Sequence, residues 1–337
     1  MGCKCGTQII LCNLPIRFDT YKGCSHGCKY CFVQKKASLT KIEKFETVKG
    51  LRSFIEGNRG RETEWCDWNI PIHWGGMSDP FQPAEKKLRA SYECLKLLSE
   101  TKYPFVVSTK GSLIAEDEYL DLLSECNCVV QMSMVCSRYD KLEKGAPAYE
   151  ERLKIAKKVS PRVKRFIARI QPYMPEVYKD VMENIPKLAD AGVYGVVLEG
   201  MKFYKAKSGM VKVGGDHCYP LDILRSDFEN IKAEAHRNGM RFFSGENRLR
   251  AMGDDMCCCG IEGLDGFKGN DYNICMMLNG KNPEPTERMK KVGTAGCFHS
   301  LQQTAGTTEI IRQKSFYGKM QEELAGKTDY YKQIFGI

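Results

Sequence analysis

No stretch of eighteen apolar residues occurs in this 337-residue chain, so no membrane-spanning helix is expected. The opening run Met1-Gly2-Cys3-Lys4-Cys5-Gly6 lacks the apolar core of a secretory signal, and position 6 lacks the Ser or Thr of a myristoylation site. There is no low-complexity tract and no evident internal repeat. What is abundant is cysteine, seventeen residues in all. Without an export signal such a count points to reduced thiols or metal ligands rather than disulfides. The expectation is an oxygen-sensitive cytoplasmic protein with no membrane partner. Hydrophobic residues make up 42%, enough for a full core, and the length suits one large α/β domain with or without an appendage.

Three of the cysteines stand together in Tyr21-Lys22-Gly23-Cys24-Ser25-His26-Gly27-Cys28-Lys29-Tyr30-Cys31-Phe32. Intervals of three and two residues let Cys24, Cys28 and Cys31 close on one metal group from a single loop, and a fourth cysteine is absent from it. Three thiolates on a four-iron cluster leave one iron open to a small molecule, whereas four would make a closed electron carrier. Deprotonating each thiol at pH 7 costs about 2 kcal/mol from its ordinary pKa of about 8.5, which coordination must offset. Such short loops add little closure entropy. Gly23 and Gly27 allow the tight turns. A zinc knuckle is the alternative, although zinc sites more often pair two CxxC units.

Short apolar runs alternate with helix-period segments, the pattern of repeated βα units on a parallel sheet. Strands are expected at Gln8–Leu11, Asn69–Trp74, Phe105–Ser108, Val129–Met134, Val163–Ile170, Tyr194–Leu198 and Met240–Phe243. Val177, Val181, Ile185 and Leu188 define one buried helix face, and Leu224, Phe228, Ile231 and Ala235 another. Six or seven βα units in residues 1–245 fit an α/β partial barrel of (β/α)6 type better than a closed eightfold one. Chemistry in such folds sits at the C-terminal strand ends, where a loop following the first strand falls. After residue 245 Gly and Cys become frequent and periodicity fades. Residues 246–337 read as a cysteine-rich C-terminal region, with a last helix expected between Thr308 and Gly326.

The cysteine loop, with the aromatic Tyr30 before its third cysteine, resembles the CxxxCxxC motif of radical S-adenosylmethionine (radical SAM) enzymes, and more specifically their spore photoproduct lyase-like branch. Further segments follow in the same order: Ser78-Asp79-Pro80-Phe81-Gln82-Pro83-Ala84-Glu85, Ser108-Thr109-Lys110, Lys141-Leu142-Glu143-Lys144-Gly145-Ala146-Pro147 and Arg169-Ile170-Gln171-Pro172. The match spans residues 8 to about 245, and the cysteine loop is its most specific part. The resemblance implies a [4Fe-4S] cluster on Cys24, Cys28 and Cys31, with S-adenosylmethionine on the open iron. It implies that Gly75 and Gly76 form the turn beside the methionine amino group, and that Asp79 or a carbonyl replaces the usual acidic residue, where Met77 stands. Lys110 would meet the methionine carboxylate, Ser133 and Arg169 would face the ribose and carboxylate side, and Glu199 would reach the adenosine. A reductant such as flavodoxin or ferredoxin is the implied partner. The cysteine that spore photoproduct lyase carries before its Ser-Asp dipeptide is missing from Trp74-Gly75-Gly76-Met77-Ser78-Asp79, so thymine-dimer repair does not carry over. Cys66 and Cys136 are candidate substitutes, but each reads first as an ordinary buried thiol.

Cys257, Cys258, Cys259, Cys275 and Cys297 form a candidate second metal site for an auxiliary iron–sulfur cluster or zinc. Their 15- and 21-residue intervals cost little in closure entropy, and adjacent cysteines are hard to aim at one cluster, so at most two of the first three are expected to bind. The net charge is +9, with Arg152, Lys154, Lys157, Lys158, Arg162, Lys164, Arg165 and Arg169 close together. They read as a solvated helix face with strand ends, or as the footprint of a nucleic acid or phosphorylated partner. The leading expectation is a radical enzyme. The alternative is a non-catalytic zinc or iron–sulfur nucleic-acid-binding protein.

Overall fold

The computed structural model describes residues 13–14, 17–35, 41–45, 47–56, 70–213, 216–269, 274–278 and 324–335. In chain order its elements are β1 (Arg17–Phe18), β2 (Tyr21–Lys22), β3 (Glu43–Lys44), α1 (Thr47–Ile55), β4 (Ile72–Trp74), α2 (Glu85–Leu88), α3 (Ala90–Thr101), β5 (Phe105–Thr109) and α4 (Asp117–Ser124). There follow β6 (Cys128–Ser133), α5 (Tyr149–Val159), β7 (Arg165–Tyr173), α6 (Tyr178–Asp190), β8 (Gly195–Gly200), β9 (Lys202–Phe203), β10 (Val211–Val213) and β11 (Asp216–Cys218). The described part closes with α7 (Leu221–Arg237), β12 (Arg241–Ser244), α8 (Ile274–Leu278) and α9 (Thr328–Phe335).

Seven strands form one open sheet in the order β1-β4-β5-β6-β7-β8-β12. Every neighbouring pair is parallel. Strand order follows chain order, as successive βα units require, and β1 and β12 do not meet, so this is a partial barrel. Strands buried on both faces read as continuous apolar runs rather than alternating ones. Val106 and Val107 of β5, Val129 and Val130 of β6, and Phe166, Ile167 and Ala168 of β7 all lie in the core. Trp74 stacks on Phe18 at 5.1 Å between ring centres and meets Phe81 at 5.7 Å.

The expected helix faces are buried as their period demands. Val181, Ile185 and Leu188 of α6 face the sheet, with Val177 in the short 3-10 turn before it. Leu224, Phe228, Ile231 and Ala235 line α7, where Phe228 packs edge-on against Tyr173 and Phe242. The described strands differ from the expected ones by one to three residues at their ends, as they do where capping rather than hydrophobicity sets the boundary. The strand expected at Gln8–Leu11 lies outside the described residues, as do residues 308–323 of the last expected helix. The first described parallel strand is β1, much nearer the cysteines, and the last helix is α9. The antiparallel ribbon β10-β11-β9, inserted between β8 and α7, has no counterpart in the periodicity. Its strands are only two or three residues long, too short to show alternation. Just beyond residue 245, Leu249, Cys257, Cys259 and Ile261 join the same buried cluster as the sheet.

Candidate functional site

Cys24, Cys28 and Cys31 sit on the loop that leaves the β1–β2 corner, at the C-terminal edge of the sheet, with Cys28 buried and the other two half-buried. Two glycines shape the loop. Gly23 has φ +84°, and a side chain there would meet the Lys41 carbonyl at 2.8 Å; Gly27 has φ +58°. The Cys31 amide donates to the Cys28 carbonyl at 3.0 Å, tightening the turn between the last two thiols.

Around the loop stand residues from three distant segments. Gln82, fully buried, accepts from the Ser25 amide at 2.8 Å and donates to the Gly23 carbonyl at 3.2 Å. His26, also buried, donates from Nδ1 to the Gly145 carbonyl at 2.8 Å and places Nε2 3.1 Å from Asp79 Oδ2. Gly145 returns its amide to the His26 carbonyl, and the Lys29 amide donates to the Leu142 carbonyl. A side chain at position 145 would meet the Ser25 carbonyl at 2.4 Å, so only glycine lets these two backbones approach. The Tyr30 hydroxyl donates to Glu143, whose other oxygen is 2.6 Å from the buried Arg152 guanidinium. Burial, and then the Glu143 charge, push the Tyr30 phenol up, so it stays a donor.

The resemblance gives the amino group to Asp79 or a carbonyl, and the Asp79 oxygens here already meet four donors. Phe81 N–H and Thr109 Oγ1 donate to Oδ1 at 2.9 and 2.6 Å, and Lys110 N–H donates to Oδ2 at 2.6 Å beside His26. Burial alone would raise this carboxyl, but the His26 charge and these donors hold it below the usual range. Burial alone would lower the His26 imidazole, yet Asp79 and the Gly145 carbonyl raise it. His26 and Asp79 thus face each other as a buried pair whose contact favours the charged form of each.

Gly75 and Gly76 follow β4 in a turn held by Asp19, whose Oδ1 accepts from the Met77 and Ser78 amides at 2.9 Å each. Gly75 has φ +88°, and a side chain there would meet the Ser108 carbonyl at 2.4 Å. Lys110 is mostly buried, its Nζ 3.9 Å from Glu143 and 5.8 Å from the Tyr30 ring centre. Ser133 and Arg169 are partners in the β6–β7 register. The Arg169 guanidinium donates to Gln131 at 2.9 Å, to Ser108 at 3.2 Å and to Gln171. Gln171 donates in turn to Glu199 at 2.6 Å, and Lys202 closes the chain at 2.5 Å from the other Glu199 oxygen. A polar track thus crosses the strands from His73 through Ser108, Gln131, Arg169 and Gln171 to Glu199.

Burial pushes the Cys24 thiol up to about 12 and the Cys28 thiol up to about 11. Asp79 adds to the rise at Cys24, and a charge on Cys28 or Cys31 would raise its neighbour further. These are thiols that ionise only when a cation binds them.

The second cysteine group is placed in part. Cys257 and Cys259 are buried and Cys258 half-buried, its carbonyl accepting from Gln131 at 3.3 Å. The Cys259 thiol lies in contact with both neighbours, and with Arg250 it holds Cys258 well below the usual thiol range while its own value rises. The Cys275 side chain and Cys297 lie outside the described residues, as does Cys66. Cys136 is a buried thiol near the end of β6.

The basic run is largely absorbed by the fold. Arg152 is buried against Glu143 and the Ser133 carbonyl, Lys158 pairs with Asp117, and Arg162 pairs with Asp121. Arg165 donates to the Gly260 and Glu262 carbonyls and covers the Tyr194 ring, and Arg169 lies inside the barrel. The solvated and structural reading of this run is the one the contacts support.

Sequence reasoning did not single out His26, Gln82, Glu143 or Asp19. Gln82 and Glu143 lay in segments that the resemblance had marked, and His26 stood inside the cysteine loop. The available signal was a polar side chain within a run otherwise committed to turns.

No protein-family model matches the chain. Uncharacterized protein Rv2578c of Mycobacterium tuberculosis and uncharacterized protein Mb2609c of Mycobacterium bovis are each 25% identical to it over 205 residues, 56% of this chain. The chain spans 59% of the length of these curated relatives. Among solved structures, a spore photoproduct lyase variant with a dinucleoside spore photoproduct superposes with TM-score 0.50 at 16% identity, over 65% of this chain and 71% of that one. Streptococcus suis SuiB bound to the precursor peptide SuiA matches with TM-score 0.50 at 13% identity, over 70% of this chain and 50% of that one. These likenesses define the class of fold: an α/β partial barrel like that of spore photoproduct lyase and SuiB.

Proposed function

We propose that this chain is a radical SAM enzyme, with a [4Fe-4S] cluster on Cys24, Cys28 and Cys31. The observation that carries this reading is the cradle of the cysteine loop. Gln82, Glu143 and Gly145, from segments up to 119 residues away, converge through Ser25, Tyr30 and His26 on a loop with three thiols and no fourth. Holding a loop so firmly is a cost without purpose in a solvent turn, and is what a fixed ligand set requires. The donor chemistry fits the group: buried thiols whose ionisation needs bound cations.

A bound cluster would supply the electron for cleaving S-adenosylmethionine to methionine and a 5′-deoxyadenosyl radical, the chemistry that would take a hydrogen atom from a substrate. The rest is the protein's work. The backbone of Gly75 and Gly76 would approach the methionine amino group where Cβ atoms are excluded, with the turn preset by Asp19. Lys110 would face the methionine carboxylate. Ser133, Arg169 and Glu199 would orient the ribose and adenosine, Arg169 being locked by three acceptors. Tyr30 would wall the loop, its hydroxyl anchored on Glu143. Asp79 takes a positioning role in this reading: it fixes His26, and through it the loop. The spore photoproduct lyase structures hold a dinucleoside, one of them with bound AdoMet, and SuiB holds a peptide, so equal likeness to both singles out neither substrate class. A nucleic acid or phosphorylated substrate remains our expectation from the lyase-like motifs and the net charge, not from the basic run. For the second site we retain an auxiliary cluster or zinc on Cys275, Cys297 and part of the Cys257–Cys259 trio.

Anaerobic reconstitution of the Cys24→Ala, Cys28→Ala, Cys31→Ala triple variant tests the assignment. The wild type should bind four irons at this site and show the visible iron–sulfur band, and the variant should lack both. Metal left in the folded variant then belongs to the second site. Undiminished iron in the variant would reject the first-site assignment.

A further inference from the structure

The Lys110 ammonium has a carboxylate of the protein within reach. Glu143 Oε1 lies 3.9 Å from Lys110 Nζ, with 15% of the lysine side chain and 1% of the glutamate side chain exposed. Opposite charges at this separation attract strongly where little water screens them. A lysine closed onto Glu143 would have no charge to spare for a ligand. What holds Glu143 back is Arg152. Its guanidinium, on α5 and also 1% exposed, stands 2.6 Å from Glu143 Oε2. It donates to the Ser133 carbonyl at 2.7 Å and lies 3.4 Å from Asp140. A planar fork can grip a carboxylate and a carbonyl at once, which a lysine cannot. The Tyr30 hydroxyl fixes the other Glu143 oxygen. Among the described residues, Arg152 and Lys110 are the cations paired with Glu143, and Arg152 is the nearer. Lys110 meanwhile faces the cysteine loop. Burial pushes the Cys28 thiol up, and Lys110 is the neighbouring charge that most opposes the rise.

We propose that Arg152 is a positioning residue that keeps the Glu143 carboxylate off Lys110, leaving the ammonium to select a ligand that carries a carboxylate. The inference rests on the S-adenosylmethionine reading above and deepens it. Arg152 acts through Glu143 and touches no ligand. A buried carboxylate that loses its cation turns to the next one, because staying unpaired is costly. Without Arg152 the next cation is Lys110. A ligand carboxylate would then have to displace Glu143 before it could bind.

The test is equilibrium dialysis of the anaerobically reconstituted full chain with two ligands: S-adenosylmethionine and its decarboxylated form, which lacks only the carboxylate. Wild type should favour S-adenosylmethionine by about tenfold or more, the usual worth of a hydrogen bond between charged groups. Arg152→Gln keeps an N–H for the Ser133 carbonyl but removes the charge. It should lower that preference by about tenfold, with unchanged affinity for the decarboxylated ligand. Arg152→Met should do the same, and stands in if the Gln variant does not fold. The Arg152→Gln, Glu143→Gln double variant removes the competing carboxylate as well and should recover the preference. A merely structural loss would not be reversed by a second buried substitution. An unchanged preference in the folded single variant would overturn the inference. So would an equal loss of affinity for both ligands, or a double variant that stays as low as the single one. Wild type that binds no S-adenosylmethionine, or that binds both ligands alike, would instead overturn the reading of Lys110, and the role of Arg152 would fall with it.

Discussion

Replacing His26 by Ala leaves the Asp79 carboxylate buried without its cation, and breaking such a pair costs about 3–5 kcal/mol. The urea midpoint should fall accordingly, and a loss under about 1 kcal/mol would mean that the ion pair does not anchor the loop. Arg169 gives a second check. Lys in its place keeps the charge but loses the planar fork that reaches Ser108, Gln131 and Gln171. Arg169→Lys should weaken S-adenosylmethionine binding by about tenfold, some 1.4 kcal/mol, in equilibrium dialysis, with little change in the melting curve. Unchanged affinity would remove Arg169 from the proposed site. At this scale the sequence was legible in residue type more than in role. Asp79 and Gln82 stood in a marked segment, yet their partners His26 and Gly23 lie more than fifty positions away. A polar side chain committed to a distant buried partner looks, in one dimension, like one free to bind a ligand.

Among the elements, the crossing of the Lys141–Gly145 turn under the cysteine loop is the most exacting. Gly145→Ala would drive a methyl group onto the Ser25 carbonyl and the His26 Cα. Iron uptake should drop several-fold while far-ultraviolet circular dichroism stays native, because β5–β8 and their helices bury their own faces. Full iron uptake would show that the two backbones can separate freely. A second element contact predicts a pH dependence. Asp254 ties β12 to α7: it accepts from the Phe242 amide at 2.8 Å and lies within 3.4 Å of Lys232, His236 and Arg241. Burial would raise this carboxyl, but those donors hold it below its usual range. Its contribution is therefore complete above the unfolded value of about 3.9 and is lost as pH falls through the lower folded value. Asp254→Asn should cost about 1–2 kcal/mol at pH 6. The gap to wild type should close below about pH 4 in urea titrations, and a gap that widens in acid would contradict the sign. Of the elements, the long helices and central strands could be read from period and apolar runs. The two- and three-residue strands of the ribbon at 202–218 could not, because a pair of residues has no period.

For the molecule as a whole, repeated βα units and two helix faces were enough to read a partial barrel with the cysteine loop at the C-terminal strand ends. The charge on the chain was harder to place. Eight basic residues between Arg152 and Arg169 read first as a solvated helix face with strand ends and second as a binding face, and Arg152, Lys158, Arg162, Arg165 and Arg169 are taken up by ion pairs, carbonyls and the barrel interior. Net charge counts residues without regard to what they touch. Among the described residues, no helix is long and apolar enough to cross a membrane. The central claim is that the cradled three-cysteine loop drives reductive cleavage of S-adenosylmethionine. Its most direct test is chromatographic measurement of 5′-deoxyadenosine after anaerobic incubation of the reconstituted, dithionite-reduced chain with S-adenosylmethionine, beside the Cys28→Ala variant. Slow formation of 5′-deoxyadenosine and methionine by the wild type, abolished in the variant, is the predicted result. A cluster-replete wild type that releases none, or a variant that releases as much, would contradict the account.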